Sequence, residues 1–231
     1  MQQGLTAKIF LSDNRCVRES ACNRSYSTFS SGEIINTHQS DFSGLFVLDD
    51  EELTASGAVT YHEPKGSYLL LLPITGDLQL EQEAAAAAEL IVVGSLKLIR
   101  LTEDTTIKLS NLYPKDNISY LRLLITADEL DNYPVQSTAA FDLAANEDKL
   151  LQISPAALPF TVKIGRYKGR QEDICTLQPA AKGVFILVIA GAFEIENRLL
   201  QMRDGLLLTG AATIEFEALS EGAVLLMIEL S

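Results

Sequence analysis

The two halves of this chain repeat one pattern of apolar runs, and this repeat constrains the fold more than any other feature. Residues 71–81 and residues 186–196 each form an apolar run, then a glycine, then an alternating run that ends in an acid. Each is followed by two further strand-like runs and a closing hydrophobic strand, at residues 120–125 in one half and 223–230 in the other. A repeat of this length predicts a duplicated domain rather than a solenoid unit.

Length and charge limit the classes of function. The 231 residues suffice for two domains of roughly 100 residues each. There are 31 acids against 18 bases, a net charge of -13, which argues against binding nucleic acid or an anionic membrane through general electrostatics. We interpret the acidity as a solubilising surface, and a cationic partner stays open.

The chain carries no recognisable targeting or zinc-binding pattern. No apolar stretch approaches the ~18 residues of a membrane span, and residues 1–12 lack the basic start and apolar core of a signal peptide. The three cysteines, Cys16, Cys22 and Cys175, are an odd number, which together with the missing signal predicts reduced thiols in the cytoplasm. Cys16 and Cys22 have no further ligands nearby, so we expect no zinc site.

Nearly every segment has the pattern of a short strand. Residues 8–11 and 44–48 are predicted strands, the second ended by an acidic turn at residues 49–52, and residues 105–109 alternate as a half-buried strand does. Glycine, asparagine, aspartate and proline separate these runs at close spacing, which is typical of an all-β sandwich or barrel. The five alanines within residues 81–90 favour a helix by propensity, but their place in the repeat predicts a strand edge or hairpin loop.

Several stretches resemble the pirin-like bicupins, and the second half is similar to the C-terminal cupin of bacterial pirin-like quercetinases. The stretches that carry the resemblance are residues 28–32, 42–50, 151–155, 188–195, 203–205 and 224–230. The resemblance implies an all-β fold of two tandem cupin (jelly-roll-like) β-barrels. We expect an N-terminal pirin-like cupin over residues 1–128, a linker over 129–148 and a C-terminal cupin over 149–231.

The resemblance also implies a metal site in the first cupin, built from three histidines and a glutamate. Such a set suits non-haem iron or another divalent metal. Alignment on Gly76 places His62 on the first histidine and Pro64 on the second, and it places apolar residues on the later strand. The chain has only two histidines, His38 and His62, so one chain cannot supply three. We therefore predict no metal, no other cofactor and no catalytic residues.

The same alignment predicts a ligand pocket in the first cupin. Its candidate lining residues are Tyr61, His62, Tyr68, Ile107 and Leu109. Apolar residues in place of metal ligands would either plug the barrel or leave an apolar pocket, and barrel mouths are common sites for small molecules. His62 is either a remnant that hydrogen-bonds a nearby tyrosine or a surviving ligand-binding group.

A small basic cluster in the second half has two interpretations. Its members are Lys163, Arg166, Lys168 and Arg170. A solvated strand face is favoured, and an anion site is the alternative.

Three functions follow from these observations. The favoured hypothesis is a non-catalytic pirin-like bicupin that binds a small apolar or aromatic ligand, or a protein partner, through its N-terminal barrel. The first alternative is a metal-dependent dioxygenase of the quercetinase kind, whose ligands are missing. The second alternative, implied by the pirin resemblance, is a transcriptional co-regulator that acts by protein contact through an exposed apolar patch.

Overall fold

The chain is built almost entirely from antiparallel strands. The computed structural model describes residues 5–29, 42–83, 85, 87–126, 135–179 and 181–230. Within these ranges the chain forms strands β1–β21, numbered along the sequence, and a single 3-10 turn at Ser12–Asn14. No helix with the length and hydrophobicity of a membrane span occurs in this part of the chain. The all-β class expected from the repeat is confirmed.

The structure divides into two compact units, one comprising Arg15–Ala140 and the other Met1–Asn14 with Phe141–Ser231. We call them the N-terminal unit and the C-terminal unit.

The N-terminal unit contains a seven-stranded and a four-stranded sheet. The larger sheet has the order β12-β9-β6-β11-β4-β3-β2 and the smaller the order β5-β10-β7-β8. The strands of the larger sheet are β2 (Cys16–Glu19), β3 (Asn23–Ser27), β4 (Leu45–Leu53), β6 (Ser67–Thr75), β9 (Ser95–Leu101), β11 (Ile118–Thr126) and β12 (Gln136–Ala140). Those of the smaller sheet are β5 (Ala58–Glu63), β7 (Leu78–Gln82), β8 (Glu89–Ile91) and β10 (Thr105–Asn111).

The C-terminal unit repeats this plan with a six-stranded and a four-stranded sheet. Their orders are β1-β19-β16-β21-β14-β13 and β15-β20-β17-β18. The strands of the larger sheet are β1 (Thr6–Phe10), β13 (Lys149–Gln152), β14 (Phe160–Tyr167), β16 (Gly183–Ala190), β19 (Gly205–Thr209) and β21 (Ala223–Leu230). Those of the smaller sheet are β15 (Glu172–Thr176), β17 (Phe193–Ile195), β18 (Arg198–Leu200) and β20 (Thr213–Ala218).

Each unit buries its core between its own two sheets. In the N-terminal unit Leu69 and Leu71 of the larger sheet pack in one cluster with Ile107 and Leu109 of the smaller sheet. Successive residues of a strand point to opposite faces, so the alternation along β10 selects Ile107 and Leu109 for the core and leaves Lys108 exposed. The units are jelly-roll-like pairs of packed sheets, and the sheets are not closed into barrels.

The domain boundaries of the structure differ from the expected ones at two places. The first strand, β1, pairs with β19, so it lies in the C-terminal unit although it begins the chain. Residues 136–140, expected in the linker, form β12 and pair with β9 of the N-terminal unit. Neither placement follows from local hydrophobic periodicity, because both depend on which distant strand offers a free edge.

The alanine-rich segment lies between two paired strands. β7 and β8 pair with each other on either side of it, and Ala85 N donates to Gln82 O in the connecting turn. The expectation of a hairpin loop agrees with the described residues of this segment.

The expectation that residues 49–52 form an acidic turn is wrong. Strand β4 continues through them to Leu53. Asp49 and Glu51 are each 1% exposed, and their places in the strand put them on the same face as Val47 and Leu53, which belong to the core. Buried carboxylates need partners, and these partners define the site described next.

Candidate functional site: a buried charge network in the N-terminal unit

Strand β5 presents Tyr61 and Glu63 to the core and His62 to the outside. Tyr61 packs against the core cluster and Glu63 is 2% exposed. The ring Nδ1 of the exposed His62 lies 3.1 Å from Thr106 Oγ1 on the outer face. The alternation of the strand therefore separates His62 from the interior, and its hydrogen bond goes to Thr106 rather than to the expected Tyr61 or Tyr68.

The neighbouring strand β10 completes this inner surface. Thr105 pairs with Glu63 and Ile107 pairs with Tyr61. Ile107 and Leu109 have no exposed surface. The four paired residues at this place therefore offer a phenol, a carboxylate, a hydroxyl and an alkyl group.

Arg122 of β11 is the centre of a buried charge network. Its Nη1 donates to Glu63 Oε1 and its Nη2 donates to Asp49 Oδ2, both at 2.7 Å. Its Nε lies 4.0 Å from Glu51 Oε1, and its guanidinium lies 4.3 Å from the centre of the Tyr61 ring. The Arg122 side chain is 7% exposed. One buried cation thus contacts three buried carboxylates and an aromatic face.

Residues of β2, β3 and β11 support the outer side of this network. Ser25 Oγ and Asn23 Nδ2 donate to the two carboxylate oxygens of Glu51, at 2.9 and 3.0 Å. The half-exposed Arg18 brings its Nη2 to 3.7 Å from Asp49 Oδ2. The hydroxyls of Tyr61 and Tyr120 lie 3.3 Å apart. Arg18 therefore adds a second positive charge at the edge of the network.

Burial controls the protonation of these groups. Burial, and secondarily the charge of Asp49, raises the pKa of Glu51 above its ordinary value. Burial also raises the pKa of Glu63, against the opposing effect of Arg122. For Arg122 burial alone would lower the pKa, but Glu63 and Asp49 outweigh it and raise the pKa, so the guanidinium stays charged. Burial raises the pKa of Tyr61, which keeps its phenol protonated.

Two polar atoms of the network have no hydrogen bond to any described residue. They are Asp49 Oδ1 and Arg122 Nε, both fully buried. Unpaired buried polar atoms are costly and uncommon, and a single ordered water molecule can pair an acceptor with a donor at such a place.

The residues present do not fit the metal site implied by the resemblance. The alignment places the two implied histidines at His62 and Pro64, whereas the inner face of β5 carries Tyr61 and Glu63, and Glu63 Oε1 already accepts from Arg122. Among the residues that the structure describes, no group of three or more His, Cys, Asp and Glu side chains is arranged to hold a metal ion. His38 lies outside the described residues.

The five predicted pocket residues do not converge on one cavity. Tyr61, Ile107 and Leu109 belong to or pack against the core. Tyr68 is fully buried, but it alternates with Leu69, so it lies on the face of β6 opposite to that core. His62 borders an open depression of about 330 Å³ together with Glu63, Pro64, Asp104, Thr105 and Thr106. Ligand binding by the five residues stays a prediction.

Three of the four residues of the basic cluster in the second half lie against acids. Lys168 pairs with Glu147 and Asp148, and Arg170 pairs with Glu217. Lys163 is partly buried beside Glu229. These pairings favour the interpretation as a solvated, ion-paired surface over an anion site.

Sequence reasoning missed Asp49, Glu51 and Arg122. Four consecutive acids read as a turn, because such a run is rarely buried. The available signal was Arg122 itself, a single cation within the hydrophobic run of residues 120–125. A charge in the middle of a core strand requires an opposite charge, and the acids at 49–52 are the densest source of one.

Comparisons with known proteins agree with this architecture. Residues 162–230 match the family described as the quercetinase C-terminal cupin domain. No curated protein matches the sequence. The structure of YhhW from Escherichia coli superposes with a TM-score of 0.85 at 16% identity, and the match covers 98% of each chain.

Two further structures have the same fold. Bacterial pirin YhhW from E. coli in complex with nickel(II) gives a TM-score of 0.84 at 15% identity, covering 97% of this chain and 99% of that chain. Quercetin 2,3-dioxygenase from Acinetobacter baumannii gives 0.67 at 12% identity, covering 98% of this chain and 79% of that chain. Residues 162–230 are therefore a quercetinase-type C-terminal cupin, and the chain as a whole has the fold of bacterial pirin YhhW.

Proposed function

We propose that this bicupin is a metal-independent, non-catalytic protein that works by binding a partner. The observation that carries the proposal is the buried guanidinium of Arg122, which holds Glu63 and Asp49 at 2.7 Å each. Glu63 is the only carboxylate on the inner face of β5, and it lies beside β10; the resemblance implies metal ligands on these two strands.

The charge of Arg122 opposes a divalent ion at the same oxygens. A guanidinium cannot lose its proton in a protein, so a metal would have to displace it or lie beside it. Two cations at ion-pair distance in a buried site repel each other strongly. The remaining inner residues, Tyr61 and Ile107, offer a protonated phenol and an alkyl group, neither of which is a ligand that iron or nickel prefers.

A dioxygenase assay tests the non-catalytic part of the proposal. Oxygen uptake with quercetin is measured after adding Fe(II), Mn(II), Ni(II) or Cu(II), with an active quercetin 2,3-dioxygenase as the positive control. We expect no uptake above that of metal and quercetin alone. Metal-dependent uptake that Glu63→Gln abolishes would overturn the proposal, because it would make the carboxylate of Glu63 a functional ligand.

The filled interior favours a protein partner over a small apolar ligand. Ile107 and Leu109, two of the residues expected to line an apolar pocket, are packed into the core without exposed surface. The outside of the N-terminal unit carries instead a group of exposed apolar side chains that we call the apolar end: Leu90, Val92, Val93, Leu112 and Tyr113.

Hydrogen bonds hold two loops of the apolar end together. Val93 N donates to Asp77 Oδ1 at 3.0 Å, and Asp77 N donates to Tyr113 Oη at 3.3 Å. Single exposed apolar residues are ordinary, but a cluster of them marks a contact surface. The net charge of -13 favours a partner that is cationic around an apolar contact. A transcriptional co-regulator that acts by protein contact is one example of such a partner-binding protein.

Site-specific photo-cross-linking in cells tests the protein contact. A photoreactive residue is placed at Val93 or at Leu112, with Thr106, at the other end of β10, as the matched control. We expect one discrete cross-linked protein from the first two positions, absent at Thr106, and a yield that falls with salt when the purified partner is used. The same bands at all three positions, or none at Val93 and Leu112, would contradict the proposal.

A further inference from the structure

The C-terminal unit contains a lysine, Lys163, that contacts both a cysteine and a glutamate. Lys163 Nζ lies 3.3 Å from Cys175 Sγ and forms an ion pair with Glu229 Oε1. Cys175 is 4% exposed and Glu229 is 2% exposed, while the Lys163 side chain keeps 13% of its surface. The backbone N–H of Gln178 donates to the other oxygen of Glu229 at 2.8 Å. A fixed carboxylate thus holds the amine, and the amine lies next to the thiol.

The contact joins the two sheets of the unit. Lys163 belongs to β14 of the six-stranded sheet and Cys175 to β15 of the four-stranded sheet. Only 12 positions separate them along the chain. A covalent bond between the two side chains would fasten one sheet to the other.

We propose that Lys163 and Cys175 are an oxidative modification site, at which a peroxide drives formation of a covalent bridge between Nζ and Sγ. This assignment concerns the C-terminal unit and does not depend on the function proposed above. Its substrate class is hydrogen peroxide or a small organic hydroperoxide, because a nearly buried sulfur admits only a small oxidant.

The bridge forms in two balanced steps. The peroxide transfers one oxygen atom to the Cys175 thiol, which becomes a sulfenic acid as one water leaves. Lys163 Nζ then attacks Sγ, so that an N–S bond forms and the S–O bond breaks. The ammonium proton passes to Glu229, and the other nitrogen proton leaves with the hydroxide as a second water. Sulfenic acids condense with nitrogen nucleophiles in this way, and the sulfur loses the two electrons that the peroxide gains.

The surroundings of Cys175 make its oxidation slow, and they favour reaction of the oxidised sulfur with Lys163. Burial raises the pKa of the Cys175 thiol, against the effect of the nearby Lys163. Burial alone would lower the pKa of Lys163, but the interactions with Glu229 and Cys175 together outweigh it and raise the pKa. The thiolate is therefore scarce, and oxidation is slower than at a low-pKa redox cysteine. Once oxidised, the sulfur already has the amine within contact distance, so the bridge forms in preference to further oxidation.

Mass spectrometry of the peroxide-treated full chain tests the bridge. Hydrogen peroxide is raised until the half-buried Cys16 and Cys22 are oxidised, and the protein is digested without reductant. We expect a cross-linked peptide pair containing Lys163 and Cys175 that has lost two hydrogens and separates again on treatment with dithiothreitol. A pair that also contains one oxygen atom supports the same N–S bridge after further oxidation, in which a second peroxide transfers one oxygen atom to Sγ and leaves as water.

Two variants make the test specific. Lys163→Arg keeps a positive charge beside Glu229 but removes the nucleophilic amine, so Cys175 should proceed to sulfinic acid without a cross-link. In the wild type the bridge should raise the Tm, and dithiothreitol should reverse this shift, whereas Cys175→Ala should show no shift. Recovery of Cys175 as a sulfinic acid with unmodified Lys163, or as a thiol after exposure to peroxide well beyond the oxidation of Cys16, would overturn the proposal.

Discussion

At the scale of single residues, Arg122 connects three buried carboxylates of the N-terminal unit. Asp49, Glu51 and Glu63 are buried, and Arg122 is the buried cation that contacts all three. The net gain from a buried ion pair is small, since both partners lose their hydration. Removal of one partner costs much more stability than this net gain, because the other charges then stay buried and unpaired.

Replacement of Arg122 by leucine should therefore lower the free energy of unfolding by roughly 3–5 kcal/mol. Urea unfolding followed by circular dichroism measures this value. The control is Arg170→Leu, which breaks the exposed pair with Glu217 and should cost at most about 1 kcal/mol. Equal losses for the two variants would contradict the central place of Arg122.

Protonation of Glu51 gives the network a testable pH dependence. Its pKa lies above the ordinary value of 4.5, and so does that of Glu63. The folded state then binds protons more tightly than the unfolded state, so these groups contribute stability at low pH that is lost as pH rises through their folded-state pKa values.

The variant Glu51→Gln tests this dependence, because its amide can accept from Asn23 and donate to Ser25. The variant should be as stable as the wild type at neutral pH or more stable, with a shallower fall in stability from pH 5 upward. Urea unfolding at several pH values that gave identical slopes for both proteins would refute this explanation.

At the scale of elements, equivalent glycine turns mark the two halves of the repeat. Gly76 follows β6 with φ +71°, and Gly191 follows β16 with φ +75°. A Cβ at Gly76 would lie 2.3 Å from Ile118 Cγ2, and one at Gly191 would lie 2.3 Å from Ser220 Oγ. Both positions thus require glycine for backbone conformation and for space.

Gly66 offers a matched control for this requirement. It has φ +73°, but nothing lies within 4 Å of the place of its Cβ. Gly66→Ala should cost about 1 kcal/mol from backbone conformation alone, while Gly76→Ala should cost about 3 kcal/mol or more because overpacking is added. Thermal unfolding of the two variants measures the difference. Equal losses would mean that the contact with Ile118 relaxes without cost.

An element can be predicted from the sequence when the residues that determine it are close together along the chain. The strands of the repeat, the all-β class and the alanine-rich hairpin follow from alternation and glycine spacing, which are local. Burial of Asp49 depends on Arg122, 73 residues away, and no local pattern reports such a partner. An alignment on Gly76 fixes neither the strand register nor which residue of the pair His62 and Glu63 points inward, so it does not predict the inward position of Glu63.

At the scale of the whole molecule, the two units share a framework and differ in their buried charges. β11 lies between β6 and β4, and β21 lies between β16 and β14 in the same way. Each of these strand triplets carries a buried ion pair, Arg122 with Asp49 in one unit and Lys163 with Glu229 in the other. Each unit therefore has its own internal polar cluster, with different chemistry on a common scaffold.

The first strand of the chain should stabilise the C-terminal unit rather than the N-terminal one. Phe10 is 4% exposed, and its ring centre lies 5.4 Å from that of Phe185. Phe10→Ala should cost about 3 kcal/mol or more, and hydrogen exchange should rise in β16 and β19 while β6 and β11 keep their protection. Ile9→Ala, at a position 44% exposed, is the control and should have a smaller effect. Faster exchange in β6 and β11 alone would contradict the placement of β1.

The metal content of the protein tests the central claim that Arg122 serves as the internal cation of the N-terminal unit. The untagged protein is incubated with excess Ni(II), Mn(II) or Fe(II), freed of unbound ions by gel filtration, and analysed for each element. The account predicts less than about a tenth of an equivalent of any of them, because the oxygens of Glu63 and Asp49 are already held by a permanent charge. Close to one equivalent, lost in the Glu63→Gln variant, would contradict it.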